Sequence, residues 1–295
     1  MLEKKNKYSL GALKDKIDNR DYKIADYFVK DILQIPSLID YTSQMQSVRD
    51  QGQKGSCVAF ALSAIKEYEE KIDIKENLIF SPDWIYLQRP DLGIDGMYPR
   101  DAMDFLVSNG DCLELSLPYS LSNASRITQE KIKILKDEAY NYRISAYARI
   151  NNVDELKQSI YEHGPAFIAV ALYDSFFNTN SDGLVPLPDT SKEGCVGGHA
   201  LTVVGYDDSK NLFKVKNSWG TSFGDKGYCY LSYDYISLYA YDMWNLVDTK
   251  SKNIKSNWFL NMWNNIIEWF KEKNHLIWFI IVGLMTIIIC FLTRR

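Results

Sequence analysis

The chain of 295 residues has little cysteine, little histidine and no excess of one charge. Five cysteines are too few for a disulfide-dense secreted scaffold. With three histidines and five cysteines, so few of them clustered, no zinc site is credible and no metal or cofactor is expected. A net charge of −4 supplies no basic footprint for nucleic acid. No glycine loop of the P-loop or dinucleotide type is present. Low complexity and internal repeats are also missing, and 46% hydrophobic residues exclude a disordered chain. Met1–Lys16 holds five lysines and no apolar core of a signal peptide.

What is present is unevenly spread. Mean hydropathy is −0.26, yet four of the seven tryptophans (258, 263, 269 and 278) fall near the C-terminus. Leu276 to Leu292 run without a charge or a proline. At 1.5 Å per residue that stretch spans roughly 26 Å, the short end of a bilayer crossing. It is apolar on every side, unlike a core helix, so residues 275–293 are expected to form a transmembrane helix. Upstream, Trp258, Met262, Trp263, Ile266, Trp269 and Phe270 recur at helical spacing. They predict an amphipathic helix, either lying in the membrane interface or packed on the globular part. Residues 248–274 therefore read as a linker plus this helix. With no signal at the start and the span at the end, a single-pass protein with its large N-terminal part in the cytosol is the expected topology. Lysines 271 and 273 before the span and Arg294 and Arg295 after it leave the charge rule silent.

The globular part reads as helices first and strands later. Ser56 precedes a run of Val58, Phe60, Ala61, Leu62, Ala64, Ile65 and Tyr68, with Lys66, Glu67, Glu69 and Glu70 opposite, which predicts an amphipathic helix starting near Cys57. Helices are also expected over 101–108, 129–139 and 153–163. Short β-branched or aromatic runs at 166–172, 200–206, 212–219 and 227–233 read as strands. This order suggests an α+β fold with two lobes.

One cysteine, one histidine and one asparagine carry the chemistry. Cys57 sits at the expected helix N-terminus, where free amides and the helix dipole favour a nucleophilic thiolate. His199 stands in GGHA and Asn217 in NSWG. A thiol–imidazole pair needs a third group to orient the ring, and an asparagine amide can do so. Gln51, six residues before Cys57, is placed to donate to an oxyanion beside the Cys57 amide.

Together, QGQKGSCVAFA (51–61), GGHALTVVGY (197–206) and NSWGTSFGDKGY (217–228) resemble the nucleophile, histidine and asparagine segments of the papain-like cysteine proteases. The resemblance covers roughly residues 35 to 246. It implies a papain-like fold, a helical lobe beside a β-barrel-like lobe, in a catalytic domain over 35–247 that cleaves polypeptides. It implies Cys57 as nucleophile, His199 as general base then acid, Asn217 as orienter, Gln51 as oxyanion donor and Trp219 as a shield over the Asn–His bond. DGMYP (95–99) is similar to the segment lining the family's cleft, which places Gly96, Met97, Gly198 and Trp219 against substrate.

The departures are informative. The family's usual cysteine three positions before the nucleophile is Lys54, its usual tryptophan after the nucleophile is Val58, and Met97 replaces a glycine and is expected to crowd substrate. Cys112, Cys195 and Cys229 are expected to be thiols, with a Cys195–Cys229 bridge as the alternative. Residues 1–34 form an arm much shorter than the family's inhibitory pro-segment. Either no such segment is needed or this arm covers the cleft, with Asn19-Arg20-Asp21-Tyr22 as a docking element or a charged surface turn. Two other functions fit the same residues: a ligase or transpeptidase, or a catalytically silent peptide-binding relative.

Overall fold

A computed structural model describes residues 8–28, 34–120 and 127–248. The expected linker beyond 248, interfacial helix and membrane span lie outside the described residues. Among the described residues no helix is long and apolar enough to cross a membrane.

Strand β1 (Leu38–Asp40) is followed by the long helix α1 (Cys57–Ile74). Then come α2 (Pro82–Leu87), α3 (Pro99–Asn109), α4 (Gln129–Ala139), β2 (Ile144–Arg149) and α5 (Val153–His163). The C-terminal half holds β3 (Ala166–Tyr173), β4 (Cys195–Asp207), β5 (Leu212–Lys216), β6 (Tyr228–Ser232), α6 (Tyr233–Tyr239) and β7 (Ala240–Asp248). The strands form one antiparallel sheet in the order β2-β7-β3-β4-β5-β6, with β1 added on β4.

Period-2 alternation lets the central strands serve two cores. From β3, Ile168 and Val170 enter a sheet-side cluster with Val203, Phe213 and Leu231. Phe167 and Ala169 enter a helix-side cluster with Val58, Leu62, Met103 and Leu106. This is the expected two-lobed α+β arrangement, and it explains why β3 reads as an unbroken apolar run. On β4, Thr202 faces the helices and its hydroxyl donates to the Ala61 carbonyl of α1 at 3.0 Å, joining the strand of His199 to the helix of Cys57.

The structure corrects several expectations. The charged side of α1 is not a solvated face: Lys66, Glu67 and Glu70 are buried. Lys66 pairs with Glu70 one turn on, and Glu67 accepts from Arg49 at 2.8 Å and from the Phe80 amide. Neutralised in this way, charged side chains can line an interior helix. The strand around His199 starts earlier, at Cys195, because Gly197 and Gly198 pair with Leu172 and Ala171. The strand before Asn217 ends at Lys216, which leaves Asn217–Trp219 free to turn towards the cleft. All four described cysteines are free thiols, so the Cys195–Cys229 bridge is not formed.

Candidate active site

Cys57 opens α1, directly after Ser56. His199 lies on β4 opposite Val170 of β3. Asn217 follows β5, its amide bonded to the Gly227 carbonyl at 3.0 Å. His199 Nε2 and Asn217 Oδ1 are 2.8 Å apart, and the carboxamide oxygen also accepts from the Ser218 amide at 2.8 Å. Trp219 stacks on the imidazole with centroids 4.4 Å apart and planes 26° from parallel. Phe176, Phe177 and Phe223 pack round that indole, so the Asn–His bond is shielded from water.

Gln51 joins this group through Ser218, a residue whose part the sequence did not signal. The Ser218 hydroxyl donates to Gln51 Oε1 at 2.6 Å, and the Gln51 amide N–H donates to the Ser218 carbonyl at 2.8 Å. Gln51 Nε2 donates to the Lys54 carbonyl at 2.9 Å and to the Ser9 carbonyl at 3.2 Å. The candidate oxyanion donor is therefore already bound to a peptide carbonyl of the N-terminal arm.

That arm fills the cleft. The Gly11 and Ala12 amides both donate to the Gly198 carbonyl at 3.1 Å. On the facing wall the Met97 amide donates to the Gly11 carbonyl at 2.9 Å, and the Leu13 amide to the Met97 carbonyl at 3.1 Å, a parallel pairing. The fit depends on glycine: a Cβ on Gly11 would meet the Gly55 oxygen at 2.0 Å, and one on Gly198 the Ala12 oxygen at 2.2 Å. Gly96, at φ +142°, leaves no room for a Cβ below the Gly11 carbonyl. At one end Tyr8 stacks on Trp219, centroids 4.3 Å apart. Met97 is buried in the cluster of Cys57 and the arm's Ala12, and its backbone forms the wall that pairs with the arm.

Further along, the arm is held by hydrogen bonds and ion pairs. The Asp15 amide donates to Asp242 at 2.8 Å, and the Asp15 carboxyl accepts from the Arg100 amide at the start of α3. Asp21 accepts from both Arg100 and Arg149, and the Arg149 amide donates to the Tyr22 carbonyl. Of the expected docking element, Asp21 and Tyr22 are anchors, whereas exposed Arg20 pairs with Asp18.

Burial under the arm governs the protonation states. Cys57 is fully buried, and desolvation pushes its thiol up to about 11 despite nearby amides of Ala200 and Gly11. Desolvation holds His199 down to about 4, against the Asn217 bond. His199 Nδ1 is buried with no hydrogen-bond partner, so no bond joins it to the Cys57 sulfur. The thiolate expected from the helix terminus is not favoured here: the dipole is outweighed by loss of water. Burial thus disfavours the charged form of each group. An open cavity of about 390 Å³ lies instead at the far end of β4, lined by Leu38, Tyr206, Lys214 and Tyr230. Among the described residues no histidine, cysteine and carboxylate cluster could hold a metal ion.

With this geometry in hand, known proteins supply the comparison. The family described as "Papain family cysteine protease" matches residues 35–243. "Cysteine proteinase 3" of Entamoeba histolytica is 30% identical over 203 residues, 68% of this chain and 63% of that protein. Mouse cathepsin K is 28% identical over 67% of this chain and 60% of its own length. The chain thus spans about six-tenths of the length of these curated relatives. The solved structure of xylellain, a cysteine protease from Xylella fastidiosa, superposes with a TM-score of 0.74 at 30% identity, covering 83% of this chain and 97% of that one. By motif, fold and match alike, the chain belongs to the papain family of cysteine proteases.

Proposed function

We propose that this protein is a membrane-anchored cysteine peptidase held latent by its own N-terminal arm. The observation that carries the reading is the His199–Asn217 bond under Trp219, on the strand that faces the helix of Cys57. With the arm displaced and water readmitted, the penalty on the charged forms falls, and a Cys57 thiolate beside a His199 imidazolium becomes accessible. The thiolate attacks a peptide carbonyl. Gln51 Nε2, released from Ser9, and the Cys57 amide hold the oxyanion. His199 protonates the leaving amine, then takes a proton from the water that clears the acyl-enzyme. Asn217 keeps the ring turned for both transfers.

Latency is supported by the arm occupying the candidate oxyanion donor and the walls of the cleft. It takes the Gln51 amide, the Gly198 carbonyl, both Met97 backbone groups and the face of Trp219. The anchor is supported by the uncharged stretch 276–292, and cytosolic placement of the catalytic domain by its free thiols in 57, 112, 195 and 229.

Three outcomes are expected. Cys57→Ser lowers peptide hydrolysis at least about a thousandfold with unchanged melting temperature; unchanged turnover rules out Cys57 as nucleophile. Product analysis with an added amine should give hydrolysis, and predominant amine transfer would favour a transpeptidase. In sealed membranes the full chain should resist alkaline-carbonate extraction and its catalytic domain should be digested by protease added on the cytosolic side. Recovery in the supernatant would contradict the anchor, and protection would contradict the sidedness.

The latch predicts a pH dependence. Burial and the facing Asp242 push the Asp15 carboxyl up to about 7, against the pull of Arg100 and Arg149. In a free arm it titrates near about 3.9. The docked state holds the proton more tightly, so Asp15 favours docking most below about pH 4. That contribution fades as pH rises to about 7 and is then gone, at most about tenfold per pH unit. His199, depressed when docked, acts oppositely over part of this range. Comparison with Asp15→Asn isolates the carboxyl. Amide exchange at residues 11–13 should speed up in wild type relative to Asp15→Asn between pH 4 and 7. Parallel profiles would contradict the assignment.

A further inference from the structure

The loop that carries Gln51 has no disulfide, yet it is not loose. Lys54 occupies the position where the family resemblance puts a half-cystine, and its side chain is buried. Its ammonium donates to Asp83 Oδ1 at 2.5 Å and to the Ser120 carbonyl at 3.0 Å. The rings of Tyr86 and Tyr119 lie 5.2 and 5.1 Å away, within cation–π range. Asp83, also buried, takes the Ser120 amide on its other oxygen. Meanwhile the Lys54 carbonyl accepts from Gln51 Nε2. One residue thus grips the helical lobe with its side chain and the candidate oxyanion donor with its backbone. Tyr119 completes the clamp: its hydroxyl donates to the Gln51 carbonyl at 2.7 Å and lies 2.9 Å from Ser56 Oγ.

A buried ion pair is a poor device for stability alone. Desolvating two charges offsets most of their attraction, and an apolar pair of similar volume often serves as well or better. What the pair adds over an apolar contact is direction, because two charge-assisted hydrogen bonds fix where the ammonium sits. It also needs no oxidising environment to form, as a disulfide does.

We propose that Lys54, held by Asp83, is a positioning residue for the oxyanion site, a non-covalent and redox-inert staple that sets the place of the Gln51 amide. The inference rests on the peptidase reading above. It adds that catalytic power depends on a charged pair that touches no substrate. The effect must fall on steps that pass through a tetrahedral oxyanion and spare reactions of Cys57 that do not.

The test uses the full chain and two reactions. Peptide hydrolysis passes through the oxyanion. Alkylation of Cys57 by an epoxide forms a thioether by ring opening and passes through no tetrahedral intermediate at a carbonyl. Because the arm competes with substrate, it burdens KM, and kcat reports the site. Lys54→Met strands Asp83, so the double variant Lys54→Met/Asp83→Leu is the informative one. It should keep the wild-type melting temperature within a few degrees. Its kcat should fall about 10- to 100-fold, while the limiting rate of alkylation stays within about threefold. Asp83→Asn, which keeps an acceptor but not the charge, should show the same split to a smaller extent and guards against a misfolded double variant. Wild-type kcat in both variants would overturn the proposal, as would equal loss of hydrolysis and alkylation. A wild-type protein that is alkylated but hydrolyses nothing would overturn the peptidase reading itself, and the inference with it.

Discussion

Everything at this site depends on two backbone carbonyls and the strip of chain they hold. Gly198 and Met97 face each other across the cleft, and residues 11–13 bond to both walls. That pairing removes water from above Cys57. Removal of water raises the thiol and lowers the imidazole, so burial disfavours the opposite charges that would make a nucleophile. In the proposed latency solvation counts as much as obstruction. The contacts that fill the cleft also desolvate the residues beneath.

The fold supplies rigid walls for this arrangement. Alternate residues of β3 and β4 serve the two cores, so the strand bearing His199 is fixed from both sides. Thr202 ties it to α1. Gln51, Ser218, Asn217 and His199 then form one chain of hydrogen bonds, linking the oxyanion side to the imidazole side. Lys54 and Tyr119 fasten its outer end. A disturbance at either end is therefore felt by a candidate catalytic group.

Much of this was legible in the sequence where chemistry is local. The helices over 129–139 and 153–163 and the start of α1 at Cys57 stand where the sequence predicts them. The three motifs bring Cys57, His199, Asn217, Gln51 and Trp219 to one place. Strand β7 was not legible, because Asp242 and Asn245 break the apolar pattern. The burial of Asp242 makes sense only once Arg149 is seen to reach it. The same holds for the charged side of α1, whose partners Arg49 and Phe80 are distant in sequence. The arm was least legible. Residues 8–22 show no period, and their order comes from carbonyls and carboxylates of other segments. The thiolate expectation failed for that reason: a helix terminus is a local feature, whereas the water above it is controlled from the other end of the chain.

The central claim is that residues 8–15 keep Cys57 closed. Gly11→Val tests it most directly, because a side chain there collides with the Gly55 oxygen and leaves residues 35–247 untouched. The measurement is the second-order rate of Cys57 alkylation by an epoxide at fixed pH, in the full chain. The account predicts a rise of at least about tenfold over wild type, the equivalent of about 1.4 kcal/mol of lost docking. An unchanged rate would contradict it.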